Sequence, residues 1–303
     1  MTHRWTTRAL LLIGLLIATT GSGAASAAPV AGTGAQGPAM WTLRTDKAAV
    51  YFLGSFHILP PSVPWRDDPR IHTALAEAQA VLFEVDLDDM DKPEVAANIV
   101  RRATLPDGKT LREVLTAETY TELTATAGRF AMDMARLEPM QPWLAASGLL
   151  VGYMVSKGAD PGSGVDSALT RDAKAAGKQV TGLETVDEQL DVLDTLSKED
   201  PDLLITDMIR FLDESTGLLA QTLTAWQTGD TDAMDRLIRE DLDKHEGAYD
   251  RFLTHRNAAW VPKIDALIRQ GGTYFVVVGA GHLVGDQSVI AMLRAKGYEV
   301  ERY

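Results

Sequence analysis

The hydrophobic pattern of this 303-residue chain alternates short apolar runs with longer stretches of helical periodicity. Two apolar runs close in the same way. Tyr51-Phe-Leu-Gly-Ser-Phe-His57 ends in Gly54-x-x-His57, and Tyr274-Phe-Val-Val-Val-Gly-Ala-Gly-His282 ends in Gly279-x-x-His282. Trp41 to Arg44 and Val50 to Phe56, flanking Thr45-Asp46-Lys47, predict a hairpin that opens a sheet, and its second strand delivers His57 at its C-terminal end. Pro60, Pro61 and Pro64 enforce a loop, after which Ile71, Leu75 and Ala78 mark the inner face of a helix over Asp67 to Gln79. Over Ala80 to Leu87, Val81, Phe83, Val85 and Leu87 alternate with Leu82, Glu84 and Asp86, which predicts a strand with both acids on one face.

From Lys92 to Gly158 the periodicity is mostly helical, with breaks at Pro106-Asp107-Gly108, Glu138-Pro139 and Gln141-Pro142. Thr110 and Glu113 fit a capping box, and Trp143 to Ser156, apolar on most sides, predicts a buried helix. A Gly-rich loop over Gly158 to Gly164 leads to a helix opened by Asp166 and running to Ala176. Lys178 to Leu183 then predicts a short strand ending on Glu184. Asp187 to Leu196, Pro201 to Gln227, Thr231 to Leu242 and Ala248 to Arg269 make residues 186–270 a helical block, where a lid or substrate wall could be built. A strand over Tyr274 to Val278, a helix from Asp286 to Lys296 and a strand from Tyr298 to Arg302 close the chain. The order predicts an α/β fold: a mixed or mostly parallel central sheet flanked by helices, with a large helical insertion. Parallel strands present their C-terminal ends at one edge, where ligands collect. His57, Glu84, Glu184 and His282 each end or follow such a strand.

Residues 1–27 read as a secretory signal: Arg4 and Arg8 precede an apolar core from Ala9 to Thr20, and Ala25-Ser26-Ala27 forms a cleavage site. A retained membrane anchor is the competing reading, but that core is shorter than the roughly 20 residues a spanning helix needs. Residues 28–40 read as a flexible leader before a domain over 41–303. Export to the periplasm or the medium is the expected localisation, with no membrane contact after cleavage. Residues 1–27 contain no acid, so the remainder has 27 basic and 42 acidic residues and a net charge of −15. Such acidity argues against nucleic acid and anionic membrane as partners. The chain has no Cys, so disulfides, thiolate catalysis and thiolate metal ligands are excluded. Oligomeric state is not legible.

Two His and one or two carboxylates with positions open to water form the ligand set of a hydrolytic or oxygen-binding divalent metal, leaning to Mn, Co, Fe or Zn. Gly54 and Gly279 would let the chain turn tightly after each strand, and Gly281 would leave room beside His282. The helix expected from Asp286 would help keep His282 neutral. Against this, a single Gly-x-x-His is an ordinary strand end, and its pairing is what raises its weight. Glu84, on an apolar strand, needs a metal, an Arg or a proton, because an isolated buried carboxylate is very costly. Glu184 reads equally as a site residue or a first-turn acid, Asp166 as a helix cap, and Asp86 as solvated or capping. Arg256 could hold a substrate carboxylate or an oxyanion, or pair with local acids. His72, His245 and His255 match no pattern and read as surface or core residues.

Tyr51 to Pro61, Leu82-Phe-Glu84-Val-Asp86, Val278-Gly279-Ala-Gly-His282-Leu-Val-Gly-Asp286 and Leu293-Arg-Ala-Lys-Gly297-Tyr-Glu-Val together resemble the TraB/GumN family, which includes the Tiki proteins. Gly164-Val-Asp166, Gly182-Leu-Glu184-Thr and Arg256-Asn257 are similar to the family's internal signatures. The resemblance implies a fold akin to erythromycin esterase and the ChaN haem-binding proteins. It also implies a divalent-metal-dependent peptidase, with His57, Glu84 and His282 at the metal and Glu84 as ligand or general base. Arg256 joins the catalytic group, and Gly54, Ser55, Asp166, Glu184, Asn257, Gly279 and Gly281 form a supporting or substrate-binding set. Mn, Co and Zn are not distinguished, and the substrate would be a peptide or another small molecule. The alternative is a non-catalytic protein that sequesters haem, metal or a peptide.

Overall fold

The structure is a computed structural model that describes residues 37–303 except 215–216 and 243–246. The signal segment, most of the leader and His245 lie outside the described residues. The chain divides into two compact units.

The first unit comprises residues 37–86, 162–184 and 215–303 and holds a six-stranded mixed sheet. The strands are β1 (Met40–Arg44), β2 (Ala48–Ser55), β3 (Ala80–Phe83), β4 (Gln179–Gly182), β5 (Gly272–Gly279) and β6 (Val300–Arg302), in spatial order β4-β3-β5-β2-β1-β6. β1 pairs antiparallel with β2 and β6, whereas β4, β3, β5 and β2 run parallel. The register aligns Ser55 with Gly279 and Phe83 with Gly182, so the parallel strands end at one edge. β2 and β5 sit in the middle, and their apolar runs lack alternation because residues on both faces are buried. Helices α1 (Pro69–Glu77), α2 (Val165–Ala175), α3 (Leu218–Thr228), α4 (Thr231–Leu242), α5 (His255–Gln270) and α6 (Val289–Ala295) complete this unit.

The second unit comprises residues 87–161 and 185–214 and is helical. Pro142–Ser156, buried along most of its length, packs with Ala117–Arg129 and Pro201–Glu214. Glu113 Oε2 accepts the Thr110 N–H at 2.8 Å, as a capping box requires. Arg102 joins Pro93–Ala103 to Val186–Glu199 through Asp191 and Asp194, at 2.7 and 2.6 Å.

Several expected elements differ in extent. The strand expected over Ala80 to Leu87 stops at Phe83, so Glu84 and Asp86 are not two acids on one strand face. Past the ladder, the Glu84 carbonyl still accepts the Glu184 N–H at 2.8 Å. The long helix expected over Pro201 to Gln227 is two helices, Pro201–Glu214 and α3, with Gly217 preceding the second; glycine has little helix-forming tendency. The helix expected at Asp286 begins at Val289, where the Ser288 hydroxyl accepts the Ala291 N–H. Gly285, at φ +81°, keeps the preceding residues in a turn.

Candidate functional site

Four adjacent parallel strands each lead to one polar residue at the common edge. β4 leads to Glu184, β3 to Glu84, β5 to His282 in the short 3-10 turn Ala280–Leu283, and β2 to His57. All four side chains are buried, as are Asp166 and Ser55 and, on α5, Arg256 and Asn257.

The backbone permits this convergence through close packing. A Cβ on Gly54 would stand 2.9 Å from the Ala280 Cα, and one on Gly281 would reach the Ile238 side chain at 3.2 Å. Neither glycine, nor Gly279, has a positive φ. Gly54 and Gly281 serve close approach, and the turn expected at Gly54 and Gly279 is made without a positive φ. Gly164 packs on the His57 backbone, and its neighbour Val165 donates an N–H to the Phe56 carbonyl at 2.9 Å.

His57 is fixed through Nδ1, which lies 2.7 Å from Asp166 Oδ2, while Ser55 Oγ donates to Asp166 Oδ1 at 3.0 Å. Gly164 is the N-cap of α2, so Asp166 stands in the first turn as a clamp and not as the cap. Burial opposes protonation of His57, but the Asp166 carboxylate outweighs it and the pKa is raised.

His282 is the opposite case. Arg256 Nη1, which can only donate, lies 3.0 Å from Nε2, so Nε2 is the bare nitrogen. Nδ1 therefore carries the proton and donates it to Asn257 Oδ1 at 2.6 Å, and Asn257 Nδ2 donates to the Gln287 carbonyl at 2.8 Å. Burial, then the positive Arg256, then His57 hold the His282 pKa well below the ordinary value. The neutrality expected from a following helix N-terminus arises from these causes instead, because α6 starts seven residues later.

Between the imidazole and the carboxylates stands Arg256. Its Nη2 donates to Glu84 Oε2 at 2.7 Å and to Glu184 Oε1 at 2.5 Å, its Nε to Glu184 Oε2 at 3.0 Å, and its Nη1 to the Phe252 carbonyl at 3.2 Å. Burial lowers its pKa, and Glu84 with Glu184 more than reverses this. Burial lifts the Glu184 pKa against the pull of Arg256. The other oxygen of Glu84, Oε1, accepts the Gly279 N–H at 2.7 Å. Phe252 belongs to a π-helical turn, Asp250–Thr254, that leads directly into α5.

Trp260 is a site residue with no place in the sequence reading. Its Nε1 donates to Glu184 Oε2 at 3.1 Å, its ring centroid lies 4.4 Å from that of His282, and the Arg256 Cζ stands 4.7 Å from it. The available signal was its position four residues after Arg256, on the same helical face. His72 and His255 are exposed.

The donor chemistry fits a divalent ion. Each imidazole is oriented through Nδ1 by an oxygen acceptor, which leaves Nε2 as the ligand nitrogen in the manner of metal-bound histidines. His282 Nε2 and Glu84 Oε1 are 3.7 Å apart, within the roughly 4 Å that two ligands with bonds near 2 Å can span. Among the described residues, no three His, Asp or Glu side chains are clustered closely enough to hold an ion as they stand.

The chain belongs to the TraB/PrgY/gumN family, whose pattern it matches over residues 39–302. It is 24% identical over 318 residues to the metalloprotease TIKI1 of Danio rerio, covering 86% of this chain and 62% of that protein. To the metalloprotease TIKI2 of the same fish it is 25% identical over 319 residues, covering 86% and 60%. The chain thus spans about six tenths of the length of these Tiki relatives. It is also 26% identical over 226 residues to the uncharacterised protein YbaP of Escherichia coli, covering 74% and 80%. No solved structure matches the chain. Among the described residues, no helix is long and apolar enough to cross a membrane.

Proposed function

We propose that the protein is an exported, divalent-metal-dependent hydrolase that cleaves peptides. The observation that carries this reading is the state of His282, whose bare Nε2 stands 3.7 Å from Glu84 Oε1 at the ends of adjacent parallel strands. His57, His282 and Glu84 would hold the ion. When bound, the metal supplies Lewis acidity toward a carbonyl and lowers the pKa of a water molecule. Asn257 keeps His282 in the tautomer that presents Nε2, and Asp166 orients His57. The Gly279 N–H fixes Glu84 through Oε1, and Glu84 serves as ligand or as the base that accepts the water proton. The similarity to Tiki metalloproteases supports peptides as the substrate class.

The test is peptide hydrolysis by protein reconstituted with Mn2+, Co2+ or Zn2+, comparing wild type with His57→Ala and Glu84→Gln. A loss of about 100-fold or more is expected in each variant. Equal rates in all three proteins refute the reading.

One observation favours a second reading, a non-catalytic binding protein. Arg256 commits every N–H it has to buried acceptors, as a permanent structural network would. On that reading the protein holds a peptide without cleaving it, and protein purified without chelator or His tag contains no stoichiometric metal by elemental analysis.

A further inference from the structure

A guanidinium has five N–H groups, and those of Arg256 meet five acceptor atoms: both oxygens of Glu184, Glu84 Oε2, the Phe252 carbonyl and His282 Nε2. None remains to polarise a substrate carbonyl or to bind a carboxylate. Two of the five acceptors, however, belong to residues that the metal reading names as ligands.

The five contacts differ in kind. The pair to Glu184 is the two-point arrangement that makes arginine–carboxylate contacts strong, and it is charge-assisted on both arms. The contact to His282 is to a neutral acceptor. Nη2 divides its two protons between Glu84 and Glu184, so releasing Glu84 leaves the pair to Glu184 whole.

We propose that Arg256 is an exchangeable resident cation: its Nη1 holds His282 Nε2 and its Nη2 holds the Glu84 carboxylate through Oε2 until a divalent ion takes His282 Nε2 and that carboxylate, and Arg256 then stays on Glu184. Glu184 and Trp260 are the positioning residues that retain it after exchange. The inference rests on the metal reading above and adds that metal must compete with the chain's own guanidinium. Removing the fork should therefore tighten metal binding.

The measurement is isothermal titration of chelator-treated protein with Mn2+ and, separately, Zn2+, for wild type, Arg256→Lys and Arg256→Met. Thermal unfolding is followed with and without metal. Arg256→Lys is the decisive variant, because it keeps the charge and loses the fork that spans Glu84, Glu184 and His282. It should bind metal about tenfold more tightly than wild type. Arg256→Met should bind more tightly still, and its unfolding temperature without metal should fall and recover when metal is added. If Arg256→Met does not fold, the lysine variant decides the question alone. If wild type binds metal and Arg256→Lys binds it equally or more weakly, the exchange proposal fails and the metal reading stands. If none of the folded proteins binds either metal, the metal reading itself fails and the proposal with it.

Discussion

Gly164→Ala isolates the packing that holds Asp166 against His57. Gly164 has φ −60° and ψ 152°, which alanine adopts without strain, so the perturbation is purely steric. A Cβ there would stand 2.0 Å from the His57 carbonyl oxygen and 2.5 Å from its carbon. Cβ contacts under 3.0 Å are essentially never tolerated, so the turn at 164–166 must retreat by about 1 Å. The Val165 N–H to Phe56 carbonyl bond, now 2.9 Å, would then pass beyond hydrogen-bonding range. Losing that bond costs about 1 kcal/mol. Overpacking a dense interior adds about 1–3 kcal/mol, for a total of about 2–4 kcal/mol. Urea unfolding should show this as a lower midpoint with an unchanged m-value. The same retreat lengthens the 2.7 Å contact between Asp166 and His57, so the raised His57 pKa should fall in an NMR titration. A stability change under about 0.5 kcal/mol together with an unmoved His57 titration would refute the packing argument.

Further outcomes follow from the same structure. In metal-free protein at pH 5.5, about one unit below an ordinary histidine pKa, 15N NMR should find His282 still neutral with its proton on Nδ1; a doubly protonated ring would contradict the arrangement with Arg256 and Asn257. The stability linked to this site follows from the two directions. His282, lowered on folding, contributes stability above the unfolded value near 6.5 that is lost as pH falls. His57, raised on folding, contributes stability below that value that is lost as pH rises through its folded pKa. Asn257→Leu should remove the acceptor for Nδ1–H and weaken the His282 preference for that tautomer, which the same spectra would detect. Trp226→Phe should cost about 1–3 kcal/mol in urea unfolding, because the buried Nε1 donates to the Gly54 carbonyl at 2.7 Å; an unchanged midpoint would mean the bond contributes nothing.

The sheet was legible because burial leaves a trace in the apolar pattern. β2 and β5 are continuous apolar runs that need no partner to be recognised, and Gly54-x-x-His57 and Gly279-x-x-His282 mark where each leaves the sheet. Strand ends were less legible: Val85 and Leu87 continue the alternation begun by Val81 and are buried, yet the ladder stops at Phe83. Apolar periodicity reports what is buried and not what is paired. The polar network carries still less local signal. Arg256 lies 172 residues from Glu84 and 72 from Glu184, so no window contains both ends of either ion pair. A helical arginine beside an asparagine therefore reads like any surface pair, although both residues are buried. What the sequence does carry is necessity. A carboxylate placed after a buried strand requires a positive partner or a proton, and for Glu84 that partner is Arg256. For this reason Glu84 was the more informative residue and Arg256 the less predictable one. The buried acid states the requirement, and the fold alone selects which of the distant cations meets it.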